Sequence, residues 1–162
     1  MNNNKTNSNS LFTFTVVSSD KSSLNKHYSQ DDNGKIVKRS SAKLKRGSFE
    51  VKHIESPSHL ADFFDNLQPS EALIIGIPHQ NGEVLSSGRI TAKSINEKGA
   101  INRTKEYFKF SNTLLFDIDG SSLEINEVIP ALIKIDPNLA DAPILVRASS
   151  SYGVHIKGDT ND

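Results

Sequence analysis

The chain has 162 residues, 35% hydrophobic and 23% charged, with 19 basic against 19 acidic residues and a formal net charge of zero. That length suits one domain with a core of its own, and neutrality removes any bulk electrostatic case for a nucleic acid or membrane partner, so such a partner needs a local patch. The absence of cysteine excludes disulfides, thiolate metal sites and cysteine nucleophiles together, and it suits a reducing, cytoplasmic setting.

Residues 1–10, MNNNKTNSNS, are polar and low in complexity; they read as a disordered tail before a domain over 11–162. Leu11 to Ser19, LFTFTVVSS, alternates and is rich in β-formers, which predicts a strand. The turn signal DDNG follows, and the pieces KIVK and SFEVKHI are expected to pair around it. Between Lys35 and Arg46 lie six bases and no acid: Lys35, Lys38, Arg39, Lys43, Lys45 and Arg46. This segment is either a solvated hairpin or a patch that contacts nucleic-acid phosphates.

SPSHLADFFDNLQPSEA predicts a short helix, capped by Ser56 or Ser58, with Leu60, Phe63, Phe64 and Leu67 on one face and Pro69 as its stop. ALIIGIP reads as a buried strand, and residues 79–112 as a polar connection with two or three turns and a short helix near RTKEYF. The longest apolar runs, ALIIGI and TLLF, are far shorter than the ~20 residues of a membrane-spanning helix. TLLFDID is the next expected strand. A helix should follow from near Asn126, with Val128, Leu132 and Ile135 at helical spacing and Pro130 in its first turn. APILVRA and GVHIKG close the order as two strands joined by SSSYG. The pattern predicts an α/β or α+β sheet domain, and of the two α+β is expected, a mixed or antiparallel sheet with flanking helices. His27, His53, His59 and His79 have no metal-like spacing with one another.

The chemistry concentrates in Asp117 and Asp119 at the end of the apolar run. Residues two apart on a strand point the same way, about 6.5–7 Å apart. Two such carboxylates can hold Mg²⁺ or Mn²⁺, which favour oxygen ligands; the structural alternative is an ordinary acidic turn at Asp119-Gly120. LLFDIDGSS is similar to the nucleophile motif of haloacid-dehalogenase-type phosphohydrolases. The stretch after it, however, supplies no acidic pair behind an apolar strand.

Downstream, ILVRASSSYGVHIKG joins a strand, a run of small residues and Gly153-Val154-His155. Together, Asp117-x-Asp119 and Gly153-x-His155 resemble the first two motifs of the archaeo-eukaryotic primase superfamily. GKIVKRSSAKLKRGSFEVKHIESPSHLADFFDNLQPSEALIIGIP and GAINRTKEYFKFSNTLLFDID are similar to the amino-terminal region of plasmid- and phage-borne primases, so the likeness runs from about Asn25 to Gly158. The resemblance implies a primase-polymerase-like core and template-directed nucleotidyl transfer. Its substrates would be nucleoside triphosphates and a DNA template, and a helicase domain or protein would be a partner.

On that likeness Asp117 and Asp119 are the metal ligands, and His155 is a catalytic-site donor to the triphosphate. Ser151 and Gly153, with Ser149 and Ser150, let the backbone approach the phosphates. Arg103 matches a basic position that contacts phosphate or template. The family's third motif, an apolar residue and Asp on a later strand, does not follow before HIKGDTND. The resemblance therefore implies the amino-terminal part of a catalytic core, truncated and inactive by itself. The competing class is a non-catalytic remnant that binds nucleic acid or a replication partner through Lys35 to Arg46.

Overall fold

A computed structural model describes residues 10–24, 26–40, 43–115 and 123–146, with backbone alone at 26–28 and 38–40. In chain order the strands are β1 (Phe12–Ser19), β2 (Lys26–Gln30), β3 (Ile36–Ser40) and β4 (Arg46–Ile54). Helix α1 (Pro57–Asp65) precedes β5 (Glu71–Ile74), β6 (Ile77–Gln80), β7 (Glu83–Val84), β8 (Ser87–Thr91) and β9 (Ala100–Asn102). A 3-10 turn at Lys105–Tyr107 leads into β10 (Phe108–Lys109), and α2 (Val128–Ile135) runs into a second 3-10 turn at Pro137–Asp141. The architecture is a mixed α+β fold: a five-stranded sheet β5-β1-β4-β8-β9, a three-stranded sheet β10-β6-β7 and the separate ribbon β2-β3. All pairings are antiparallel except β8 with β9.

β1 forms because its threonines, valines and phenylalanines favour a pleated, buried surface. It pairs with β4 along its whole length, from Phe12 opposite Ile54 to Ser19 opposite Gly47, and its second half also pairs with β5. Alternation sends its side chains to two different cores. On one face Phe12, Phe14 and Val16 pack with Leu60 of α1, flanked by Ile54, Phe63, Phe64, Leu67, Leu73 and Leu145. On the other, Val17 joins Leu44, Phe49, Ile90 and Ile101. Helix α1 has the expected anatomy: the Ser56 hydroxyl accepts from the His59 amide at 3.1 Å, and Pro57 opens the first turn.

Four differences from the sequence expectation have physical reasons. The ribbon partner of KIVK is Lys26–Gln30 around the Asp31–Gly34 turn, where the Asp31 carboxylate accepts from the Asn33 and Lys35 amides at 3.0 and 2.8 Å. SFEVKHI instead joins the large sheet, because Phe49 is buried in one core there and Ile54 packs against the other. ALIIGIP is broken at Ile75-Gly76 into β5 and β6. The Thr15 hydroxyl donates to the Gly76 carbonyl at 2.6 Å, holding the chain as it crosses from one sheet to the other. The polar connection carries β7, β8, β9 and β10; β8 needs only Ile90 and Thr91 buried, too short a run to register as periodicity.

The fourth difference concerns the later strands. Thr113 to Leu115 form no strand, and Leu114 and Leu115 are 75% and 73% exposed. Ala142 to Val146 form none either; the remainder of TLLFDID and APILVRA, and all of GVHIKG, lie outside the described residues. Helix α2 begins at Val128, two residues beyond the expected Asn126, with Pro130 in its first turn as expected. Among the described residues no helix is long and apolar enough to cross a membrane.

Ile90 is fully buried between the sheet and Leu44, Phe49 and Ile101. Ile90→Ala should therefore lower stability by about 2–5 kcal/mol in urea unfolding, with the slope against denaturant unchanged. Val84→Ala, at a 62% exposed site, should stay within about 0.5 kcal/mol. Gly47→Ala should also destabilise the sheet, by about 1–3 kcal/mol, because a Cβ there would overlap the Ser18 carbonyl oxygen.

Candidate functional site

Asp117, Asp119, Ser149, Ser150, Ser151, Gly153 and His155 lie outside the described residues. The segments that lead to them are described; one is bonded to β1 and the other packs on the cluster between β1 and α1. The Thr13 amide donates to the Thr113 hydroxyl at 2.8 Å, and the Asn112 side-chain amide donates to the Ser10 and Leu11 carbonyls at 3.1 and 3.3 Å. Leu145 packs into the core of Phe12, Phe14, Val16 and Leu60. The chain that precedes Asp117 is thus bonded to β1, and the chain that precedes Ser149 packs on the cluster that β1 shares with α1.

The other end of the sheet is charged. Residues directly opposite one another share a face, so Arg46, Ser48 and Glu50 of β4 stand beside Thr91, Arg89 and Ser87 of β8. The Arg89 guanidinium grips Asp20 with two parallel bonds, Nη1 to Oδ1 at 3.0 Å and Nη2 to Oδ2 at 2.6 Å. Its Nε also donates to Glu97 Oε1 at 3.4 Å, while Arg46 Nε reaches Glu97 Oε2 at 3.2 Å. The fork geometry of arginine suits a bidentate carboxylate. The Arg89 hydrogen bonds hold the Asp20 carboxyl below the ordinary carboxylate range, and the same pairing pushes the Arg89 guanidinium further up. This clamp fastens the loop between β8 and β9 over the sheet. Thr91 completes it by donating to the Ile95 carbonyl at 3.1 Å and to Asn102 Oδ1 at 3.0 Å.

Around this clamp the sheet gathers bases that sequence separates. The Lys45 carbonyl accepts from the Ala92 amide at 2.9 Å, and the Arg103 amide donates to the Thr91 carbonyl at 2.8 Å. Lys43, Lys45 and Arg103, all exposed, therefore flank one sheet corner, with Lys93 and Lys105 adjoining. Glu106 is the acid nearest the two lysines. The Thr104 hydroxyl is the chief cause holding its carboxyl below the usual range, with its own amide, Lys105 and Lys93 assisting.

The sequence-predicted basic set divides accordingly. Arg46 is committed to Glu97. Lys43 and Lys45 stand at the corner, and Lys35, Lys38 and Arg39 belong to the ribbon, opposite no strand of the large sheet. Arg103 belongs with Lys43 and Lys45, and not with the approach to Asp117: the corner and the Thr13–Thr113 bond sit at opposite ends of β1, about 24 Å apart at 3.4 Å per residue. Asp20, Arg89 and Glu97 carry no signal in the sequence alone, because the bidentate pair joins positions 69 residues apart.

Where α1 stops covering its face, a groove of about 330 Å³ opens, lined by Val16, Ser18, Ser48, Glu50, Phe63 and Glu71 among others. Its polar groups satisfy one another: Ser18 donates to Glu71 at 3.3 Å and Lys52 pairs with Glu50 at 2.7 Å. Among the described residues no three His, Asp or Glu side chains group as a metal site, and no buried side-chain nitrogen or oxygen lacks a hydrogen bond. No family model, curated protein or solved structure matches the chain.

The clamp has a measurable signature. A carboxylate whose folded pKa is depressed contributes stability above its unfolded value, about 3.9, and that contribution disappears as pH falls through the lower folded value. In Arg89→Gln the Asp20 carboxyl should titrate closer to 3.9 than in the parent protein, as followed by carbon-13 NMR of the side-chain carboxyl. An unchanged midpoint would show that Arg89 is not the cause.

Proposed function

We propose that the chain carries the nucleotide-handling residues of a metal-dependent nucleotidyltransferase of the primase or primase-polymerase type, acting on a DNA template and nucleoside triphosphates. The observation that carries this reading is the pairing, in order, of Asp117-x-Asp119 with Gly153-x-His155 behind a small-residue run. What adds support is that one approach segment is bonded to β1 through Thr113 and the other packs, through Leu145, on the cluster β1 shares with α1. The mixed α+β architecture with a largely antiparallel sheet is compatible with a primase-polymerase-like core.

In this reading Asp117 and Asp119 hold Mg²⁺ or Mn²⁺, hard cations suited to two carboxylates. When bound, such ions lower the pKa of an attacking hydroxyl and neutralise charge on the transferring phosphate. His155 donates to a triphosphate oxygen, while Ser151 and Gly153 give the phosphates close access to backbone N–H groups. Arg103, at the basic corner, suits a template phosphate better than the triphosphate. A helicase domain or protein is the proposed partner and the cytoplasm the proposed setting. A second reading, a nucleic-acid-binding protein without catalysis, is favoured by the distance between the basic corner and the motif approaches.

Free Mn²⁺ followed by electron paramagnetic resonance tests the metal residues. The parent chain should take up Mn²⁺ weakly and Asp117→Ala/Asp119→Ala should not; equal uptake would remove the metal site. With Mn²⁺ present, His155→Ala should weaken binding of a fluorescent nucleoside triphosphate about tenfold or more, the worth of a charge-assisted hydrogen bond. Triphosphate binding indifferent to both changes would leave the non-catalytic reading.

A further inference from the structure

Charge at the β4–β8–β9 corner is sorted. The acids Asp20 and Glu97 are bound to Arg46 and Arg89, so they do not neutralise the exposed Lys43, Lys45 and Arg103, while Glu106 is shared between Lys93 and Lys105. Among the described residues none of these five cations forms an ion pair. A second feature begins at this corner and runs away from it toward Thr113. The segment Arg103 to Phe110, RTKEYFKF, interleaves three cations with three aromatic residues. Tyr107 and Phe108 pack against the core beside Ile90 and Ile101, whereas Phe110 is 101% exposed. A wholly solvated phenylalanine next to Lys109 contributes nothing to the core. Unsatisfied cations with an exposed ring are the pairing that binds a single strand, phosphates to the former and a base to the latter.

We infer that this surface, Lys43, Lys45, Lys93, Arg103 and Lys105 at the corner with Phe110 further along the same segment as the stacking platform, binds the backbone of a single-stranded nucleic acid without using the residues of the Asp117 and His155 motifs. It rests on the nucleic-acid part of the function proposed above and relocates that interaction: Lys35, Lys38, Arg39 and Arg46 leave the set, and Lys93, Arg103, Lys105 and Phe110 enter it. A duplex offers no unstacked base to Phe110, so single strands are preferred.

The test is fluorescence polarisation of a labelled 20-nucleotide single-stranded oligonucleotide with the full chain, in EDTA so that no metal contributes, over a series of salt concentrations. Lys45→Gln/Arg103→Gln should reduce the log–log salt slope by about 1.4, near 0.7 for each phosphate that is no longer neutralised. Lys52→Gln/Lys134→Gln, an equal charge change elsewhere, should leave it unaltered. Phe110→Ala should weaken binding about tenfold without changing the slope, and Phe110→Tyr should restore it, because stacking releases no counterions. Asp117→Ala/Asp119→Ala should bind as the parent does. Equal slopes in the two lysine-containing pairs, tighter binding of the duplex, or loss of binding in the aspartate variant would each overturn the inference while leaving the metal-site reading to its own test. No binding by the parent chain at low salt would overturn it together with the nucleic-acid part of the proposed function.

Discussion

The double burial of β1 is the constraint on which the other elements depend. A strand with Phe12, Phe14 and Val16 on one side and Thr13, Thr15 and Val17 on the other, all buried, needs cover on both faces. Helix α1 supplies one cover, and the chain from β6 to β10 supplies much of the other. The Thr15 hydroxyl shows how closely the second cover is applied, since it donates to the Gly76 carbonyl at the point where β5 gives way to β6. A buried hydroxyl without that acceptor would cost about 1–3 kcal/mol. The break in ALIIGIP is therefore not a local preference of Ile75-Gly76 but a demand made by β1.

α1 is too short to cover the whole face on which it lies. It reaches Phe12, Phe14 and Val16, and beyond them the face turns polar at Ser18, Ser48 and Arg89. An uncovered sheet end must be solvated or closed by charge, and here the β8–β9 loop closes it through Glu97 and the arginines. These ion pairs are about a third to a half exposed and belong to the class whose stabilising effect is small and reduced by salt. Their larger effect is on geometry. They fix which cations are engaged and which face water, and thereby decide the electrostatic character of the corner.

How much of this was legible in the sequence varies with the range of the cause. α1 was readable because its cap and most of its apolar stripe are local, although it ends at Asp65 with Asn66 as its C-cap, short of the expected Leu67 and Pro69. β1 was readable from its alternation. β8 was not: SGRIT owes its strand state to neighbours on both sides, β4 and β9, and its own residues carry little β signal. The ribbon was half readable. Its turn chemistry at Asp31–Gly34 is local, but the choice between Lys26–Gln30 and SFEVKHI as partner was made by the cores that Phe49 enters and Ile54 adjoins. The basic patch followed the same logic, since the neutralisation of Arg46 depends on Glu97 across a loop, and Arg103 joins Lys45 through β8.

The corner and the approach to Asp117 are at opposite ends of β1, yet one segment joins them. From Arg103 the chain passes through the 3-10 turn and β10 to Thr113, whose hydroxyl holds the Thr13 amide. Ten steps of at most about 3.4 Å must cover the roughly 24 Å length of β1, and the 3-10 turn uses several of them at about 2.0 Å each. The remainder is left nearly extended, as β10 is. Tyr107, which closes the 3-10 turn, and Phe108, which opens β10, both pack on the core, whereas Lys109 and Phe110 beyond them are exposed. The core contact of the segment ends at Phe108, and the span from there to Thr113 sets a cation and a ring, Lys109 and Phe110, along the path between the basic corner and the residues that precede Asp117.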